Sequence, residues 1–240
     1  MSDPVAKSGT ARAETGAGGS FFGRRKSKKL RDGQADLFGS LLPRLTLPDT
    51  LPPQLSALFE APMREVRLEI GFGGGEHLIA AARAEPDVGF IGCEPFVNGM
   101  AKALSCIHRE GLANLRLWPD DAVPLLQRLP SASLARVDLF YPDPWPKRRQ
   151  RKRRLVSEQT LREISRVLRP GGLFRFASDI DDYVGWTLRR LAAIDGLRWA
   201  PAGAKDWTEP FEGWIQTRYE AKAVAAGRIP SYITAIRSGG

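Results

Sequence analysis

The sequence predicts an α/β protein built on a doubly wound, mostly parallel sheet. Two patterns carry this expectation. From Val66 onward, short β-rich apolar runs alternate with longer runs whose apolar residues recur at spacings of three and four. A glycine-rich turn, Gly71-Phe72-Gly73-Gly74-Gly75, directly follows the first of those apolar runs. Parallel neighbours need crossovers, and helices supplying them cover both faces of the sheet. The chain has 240 residues, 42% hydrophobic and 26% charged. At that length a folded chain buries roughly 70% of its unfolded surface, so neither disulfides nor metal are required to hold it.

Taken in order, the first 20 residues are mainly Gly, Ala, Ser and Thr with scattered charge and read as a disordered tail. Residues 21–31 set six basic residues behind two phenylalanines, and the tail is expected to run over 1–40, the folded domain over 41–240. Residues 41–62 hold Pro43, Pro48, Pro52, Pro53 and Pro62, which predicts an irregular or short-helical lead-in. Strands are expected over 66–70, 88–93, 115–117, 136–141 and 173–177, with two final strands over 197–199 and 232–237, seven in all. Helices are expected over 76–84, 97–110, 121–128, 157–168 and 183–194. Leu161, Ile164, Val167 and Leu168 make the clearest helical stripe, with Ser157 suited to start that helix and Pro170-Gly171-Gly172 to stop it.

Composition excludes several classes. Cys93 and Cys106 form no CxxC, and only His77 and His108 accompany them, too poor a set for structural zinc or a disulfide scaffold. No metal is expected. No run approaches 18 apolar residues, so no transmembrane helix is expected. The Arg24-Arg25 pair is followed by lysines where a signal peptide needs an apolar stretch, so a cytoplasmic protein is expected. The net charge of +9 favours a polyanionic partner, nucleic acid or an anionic membrane surface.

The glycine turn predicts a cofactor site, since doubly wound folds bind ligands beyond the C-terminal strand ends. A dinucleotide fingerprint would put a third glycine where Glu76 stands, and a carboxylate there meets a pyrophosphate badly. Glu69, two residues before Gly71, instead suits a ligand with an ammonium group. Glu94, at the end of the second strand, suits a ribose diol. S-adenosylmethionine has both groups, with Gly71 and Gly73 letting it approach the backbone. Asp121 follows the third strand and has two compatible readings, a helix cap and a hydrogen-bond acceptor for the adenine amino group.

After the fourth strand comes Pro142-Asp143-Pro144-Trp145-Pro146-Lys147, where three prolines in five residues make a stiff, extended mouth. Lys147, Arg148, Arg149, Arg151, Lys152, Arg153 and Arg154 then put seven basic residues in eight, a run suited to contact an RNA or DNA backbone or else simply a solvated face. Together with Ser178-Asp179 and Thr217-Arg218-Tyr219-Glu220, these motifs closely resemble the bacterial tRNA (guanine-N7)-methyltransferase family, over about residues 66–220.

The resemblance implies a Rossmann-like class I methyltransferase that moves a methyl group from S-adenosylmethionine to N7 of guanine 46 in the tRNA variable loop. It implies that Glu69, Glu94, Asp121 and Asp143 line the cofactor site, with Asp143 also catalytic. Lys147, Asp179 and Thr217, Arg218, Tyr219 and Glu220 would hold the substrate. N7 of guanine carries a lone pair and no proton, so the reaction needs alignment and electrostatics rather than a base. A carboxylate at Asp143 or Asp179 could accept from the guanine N1–H and amino group. The competing expectations are methylation of another base or exocyclic amine, and a non-catalytic RNA-binding module.

Overall fold

The computed structural model describes residues 22, 23, 25–27 and 29–239. The disorder expected of the first 20 residues, and Arg24 and Lys28 of the basic stretch, lie outside the described residues.

Seven strands form one sheet: β1 (Glu65–Ile70), β2 (Val88–Cys93), β3 (Leu115–Trp118), β4 (Leu134–Phe140), β5 (Leu168–Ser178), β6 (Leu197–Trp199) and β7 (Ser231–Arg237). Their order is β3-β2-β1-β4-β5-β7-β6. The first five pair in parallel, and β7 runs antiparallel between β5 and β6. The chain therefore builds outward from β1 to β3, then crosses back to place β4 on the other side of β1. That reversal opens a crevice at the C-terminal ends of β1 and β4, where a doubly wound fold binds its ligand.

Alternation along β1 and β2 splits the core. Val66, Leu68, Ile70, Ile91 and Cys93 face one way, packing with Leu125 and Leu126 of α5 (Ala122–Arg128) and Leu161 and Ile164 of α6 (Glu158–Val167). Val88 and Phe90 face the other, with Leu78 of α3 (Glu76–Ala84) and Leu104 of α4 (Val97–Glu110). The charged positions of β1, β4 and β5 share a face and pair there: Asp138 is buried between Arg136 at 2.9 Å and Arg175 at 2.7 Å.

The strand and helix cores fall where the patterns predict, with two differences. The helix of α6 ends at Val167, but β5 begins at once at Leu168 rather than after the Pro-Gly-Gly turn. Pairing passes from Leu134↔Leu168 to Arg136↔Leu173, so Pro170-Gly171-Gly172 loops out of a continuing strand as a bulge. The second difference lies in the segment read as tail. Residues 32–40 form α1 (Asp32–Ser40), whose Leu37 and Phe38 pack against the α3–α4 side of the core, followed by the short α2 (Leu42–Leu45). The folded part thus begins before residue 41, because Leu37 and Leu41, one helical turn apart, pack with Phe38 against that core.

Candidate active site

The turn after β1 is held by Glu94 from the end of β2. Glu94 Oε2 accepts the Gly73 N–H at 2.6 Å and Oε1 accepts the Phe96 N–H at 2.9 Å. Gly73 has φ +57°, the left-handed region, and a Cβ on Gly99 of α4 would run into the Gly73 carbonyl. Two glycines therefore let α4 and the turn lie backbone to backbone. Burial pushes the Glu94 carboxyl up to about 7, against the lowering effect of those two N–H groups and of the Arg218 charge.

Asp121 caps α5, accepting the Val123 N–H at 3.1 Å, and burial raises its carboxyl. It caps the helix and also borders the same crevice. Asp143 stands at the rim, open to solvent on one side, and the surrounding protein raises its carboxyl by partial desolvation. Tyr141 at φ +48° and Trp145 at φ +41° bracket Pro142-Asp143-Pro144, a strained arrangement for residues with side chains. The mouth is a rigid bracket carrying one acid. Gly71, Gly73, Glu94, Asp121, Asp143 and Tyr219 line a single cavity of about 740 Å³.

Other expected residues sit elsewhere or have other partners. Glu69 is buried outside that cavity, its Oε2 2.7 Å from His77 Nδ1, because alternation along β1 turns it behind the turn. Asp179, just past the end of β5, pairs with Arg228 at 2.5 Å. After the short α8 (Lys205–Thr208), Thr217 caps α9 (Arg218–Ala225), accepting the Glu220 N–H at 3.2 Å. Glu220 is buried and accepts from Trp214 Nε1 at 2.6 Å and from the Tyr232 hydroxyl. Within that motif, Arg218 and Tyr219 are the side chains turned toward the glycine turn.

The basic run forms a 3-10 helix over Arg148–Arg153, preceded by Lys147. Lys147, Arg148, Arg149 and Lys152 are exposed. Arg151 pairs with Asp182 at 2.9 Å, and the Arg153 guanidinium lies 5.0 Å from the Trp145 ring and 5.2 Å from that of Phe22. Arg154 must be removed from the RNA-facing set. Its side chain is fully buried, donating from Nε to the Pro144 carbonyl at 2.7 Å and from Nη2 to Asp182. It also lies 4.7 Å from the Tyr183 ring and 4.9 Å from Trp186. A charge at the end of the run is thus spent anchoring the mouth to α7 (Asp181–Leu191).

Sequence reasoning missed the N-terminal approach. Phe22 and Gly23 line the cavity, Arg25 pairs with Asp120 at 2.9 Å, and its carbonyl accepts the Val97 N–H at 2.9 Å. The two phenylalanines before the basic stretch are the signal that could have revealed it. Among the described residues no cluster of three His, Cys, Asp or Glu could hold a metal, and no helix is long and apolar enough to cross a membrane.

Comparison with known proteins identifies the family. Residues 63–230 match the family described as "Putative methyltransferase". The chain is 54% identical to a tRNA (guanine-N(7)-)-methyltransferase of Chelativorans sp. (strain BNC1), covering 90% of this chain and 94% of that one. It is 55% identical to one from Brucella melitensis, covering 92% and 96%. The fold is similar to a 16S rRNA (adenine(1408)-N(1))-methyltransferase from Catenulisporales acidiphilia solved with its cosubstrate S-adenosylmethionine, at TM-score 0.54 and 16% identity over 81% of this chain and 95% of that one. Sheet order, glycine turn and strand-end acids define a Rossmann-like class I methyltransferase. Within that class, the chain belongs to the tRNA (guanine-N7-)-methyltransferase family.

Proposed function

We propose that the protein transfers a methyl group from S-adenosylmethionine to N7 of a guanine in tRNA, at position 46 of the variable loop. It acts in the cytoplasm, where substrate and cofactor occur. The observation that carries this reading is the placement of Glu94, Asp121 and Asp143 around one cavity whose mouth continues into an exposed basic run.

The residues present fit the cofactor. The two Glu94 oxygens each accept one backbone N–H and keep lone pairs for a ribose diol. Asp121 offers an acceptor to the adenine amino group, and the cavity of about 740 Å³ is of the size that holds a nucleoside cofactor. S-adenosylmethionine, when bound, supplies an electrophilic methyl group on a sulfonium.

The chain's own part is orientation and charge. Asp143 accepts from the guanine N1–H and exocyclic amine, which aims the N7 lone pair into the cavity and favours the cationic product. The stiff bracket of Pro142 and Pro144 keeps that carboxylate from turning away. Asp179, held by Arg228 at the same edge of the sheet, and Lys147 flank the substrate side. Arg148, Arg149 and Lys152 draw in the tRNA backbone. Thr217 and Glu220 act from within, fixing α9 beside the site.

The test is nucleoside mass spectrometry of tRNA from a strain lacking the gene, incubated with the protein and S-adenosylmethionine. The expected product is 7-methylguanosine. A different methylated nucleoside, or none, overturns the proposal.

A further inference from the structure

Arg218 belongs to the motif expected to hold the guanine, yet it lies against the cofactor's turn. Its Nη2 would be 3.3 Å from a Cβ on Gly73, and the neighbouring Tyr219 ring would be 3.4 Å from the same point. Gly73 and Tyr219 both line the cavity. Arg218 Nη2 is 3.1 Å from the Tyr219 hydroxyl, and the Nε lies 3.8 Å from Glu76 Oε1 at the start of α3. That is within ion-pair range and too long for a hydrogen bond. The Nε is buried without a hydrogen-bond partner among the described residues. Such an N–H is costly unless something accepts from it.

A class I cofactor has one group that would do so. With the ribose at Glu94 and the adenine at Asp121, the amino-acid end falls on the Gly71–Gly73 side, beneath Arg218 and Tyr219. Its α-carboxylate is planar and accepts two N–H groups side by side, the pattern a guanidinium donates. Glu76 holds the guanidinium in place electrostatically without filling its donors. The other carboxyl at this turn, Glu94, accepts the Gly73 and Phe96 N–H groups and, in the reading above, faces the ribose.

We propose that Arg218 is the anchor for the α-carboxylate of the bound cofactor, rather than a contact to the guanine. This rests on the cofactor reading given above. It assigns α9 a cofactor-side function, with Tyr219 covering the turn and Arg218 closing over the ligand's charged end.

The test is titration calorimetry of the full chain and its Arg218→Gln variant with two ligands. S-adenosylhomocysteine keeps the carboxylate; 5′-methylthioadenosine keeps the nucleoside and sulfur and lacks it. The variant should bind S-adenosylhomocysteine at least about ten-fold more weakly, as loss of a charged hydrogen bond implies. Binding of 5′-methylthioadenosine should be unchanged within about two-fold, and Arg218→Lys should recover part of the loss. Affinity for tRNA without cofactor should match wild type. Equal losses for both ligands, no loss for either, or a loss confined to tRNA overturns the assignment. Failure of the unaltered protein to bind either ligand would instead overturn the cofactor reading itself.

Discussion

The Glu94 carboxylate accepts the backbone N–H of Gly73 at 2.6 Å, tying the end of β2 to the turn after β1. The same carboxylate is buried and unusually reluctant to ionise, so the free site carries a group whose charge is waiting for a ligand. Ribose hydroxyls donating to it would favour the ionised form.

A pH dependence follows. A carboxyl with an ordinary value of 4.5 and a folded value of about 7 binds its proton more tightly in the folded chain. Stability of the free protein should therefore fall as pH rises through that window, by up to about 3 kcal/mol from this group. Urea unfolding at several pH values should show a steeper fall for wild type than for Glu94→Gln. Affinity for S-adenosylhomocysteine should move the opposite way, strengthening toward pH 7 and levelling above it. Parallel curves for the two proteins would remove Glu94 from this role.

Asp143→Asn should fold, bind S-adenosylhomocysteine and bind tRNA, since its carboxylate carries no hydrogen bond within the described residues. Single-turnover methyl transfer should drop by about 100-fold or more, the usual cost of losing one preorganised electrostatic group. A rate within a few-fold of wild type would make Asp143 a turn residue.

Arg154→Ala should cost about 2–3 kcal/mol of stability, because it strips the Pro144 carbonyl and Asp182 of a charged donor. Denaturant midpoints measure it. The salt dependence of tRNA binding should not change in a variant that remains folded, and a changed slope would return Arg154 to the RNA surface.

Neutralising Arg148, Arg149 and Lys152 should do the reverse. Stability should stay near wild type, while the log–log salt slope for tRNA binding flattens by roughly 0.7–0.9 for each phosphate that is no longer neutralised. Affinity for S-adenosylhomocysteine should hold. Equal slopes would make the run a solvated face.

The contrast within that run shows what a sequence can and cannot disclose. Period and glycine placement reveal β1, the turn and Glu94, because local spacing alone brings them together. Seven basic residues in eight look alike in one dimension, and only the packing of α7 separates buried Arg154 from exposed Arg149. Glu69 and Arg218 escape for the same reason. Alternation turns Glu69 toward His77 once β1 is placed in the sheet, and Arg218 reaches Gly73 from the other end of the domain. The cap that Thr217 supplies is visible only with α9 formed.

Methylation of N7 of one guanine in tRNA is tested most directly with an unmodified tRNA transcript, the protein and S-adenosylmethionine. Nuclease digestion and mass spectrometry of the fragments then locate the methyl group. The expected result is 7-methylguanosine confined to the fragment holding position 46, and no product when that guanine is replaced by adenine. A methyl group at another atom, or 7-methylguanosine persisting in the replaced transcript, would contradict it.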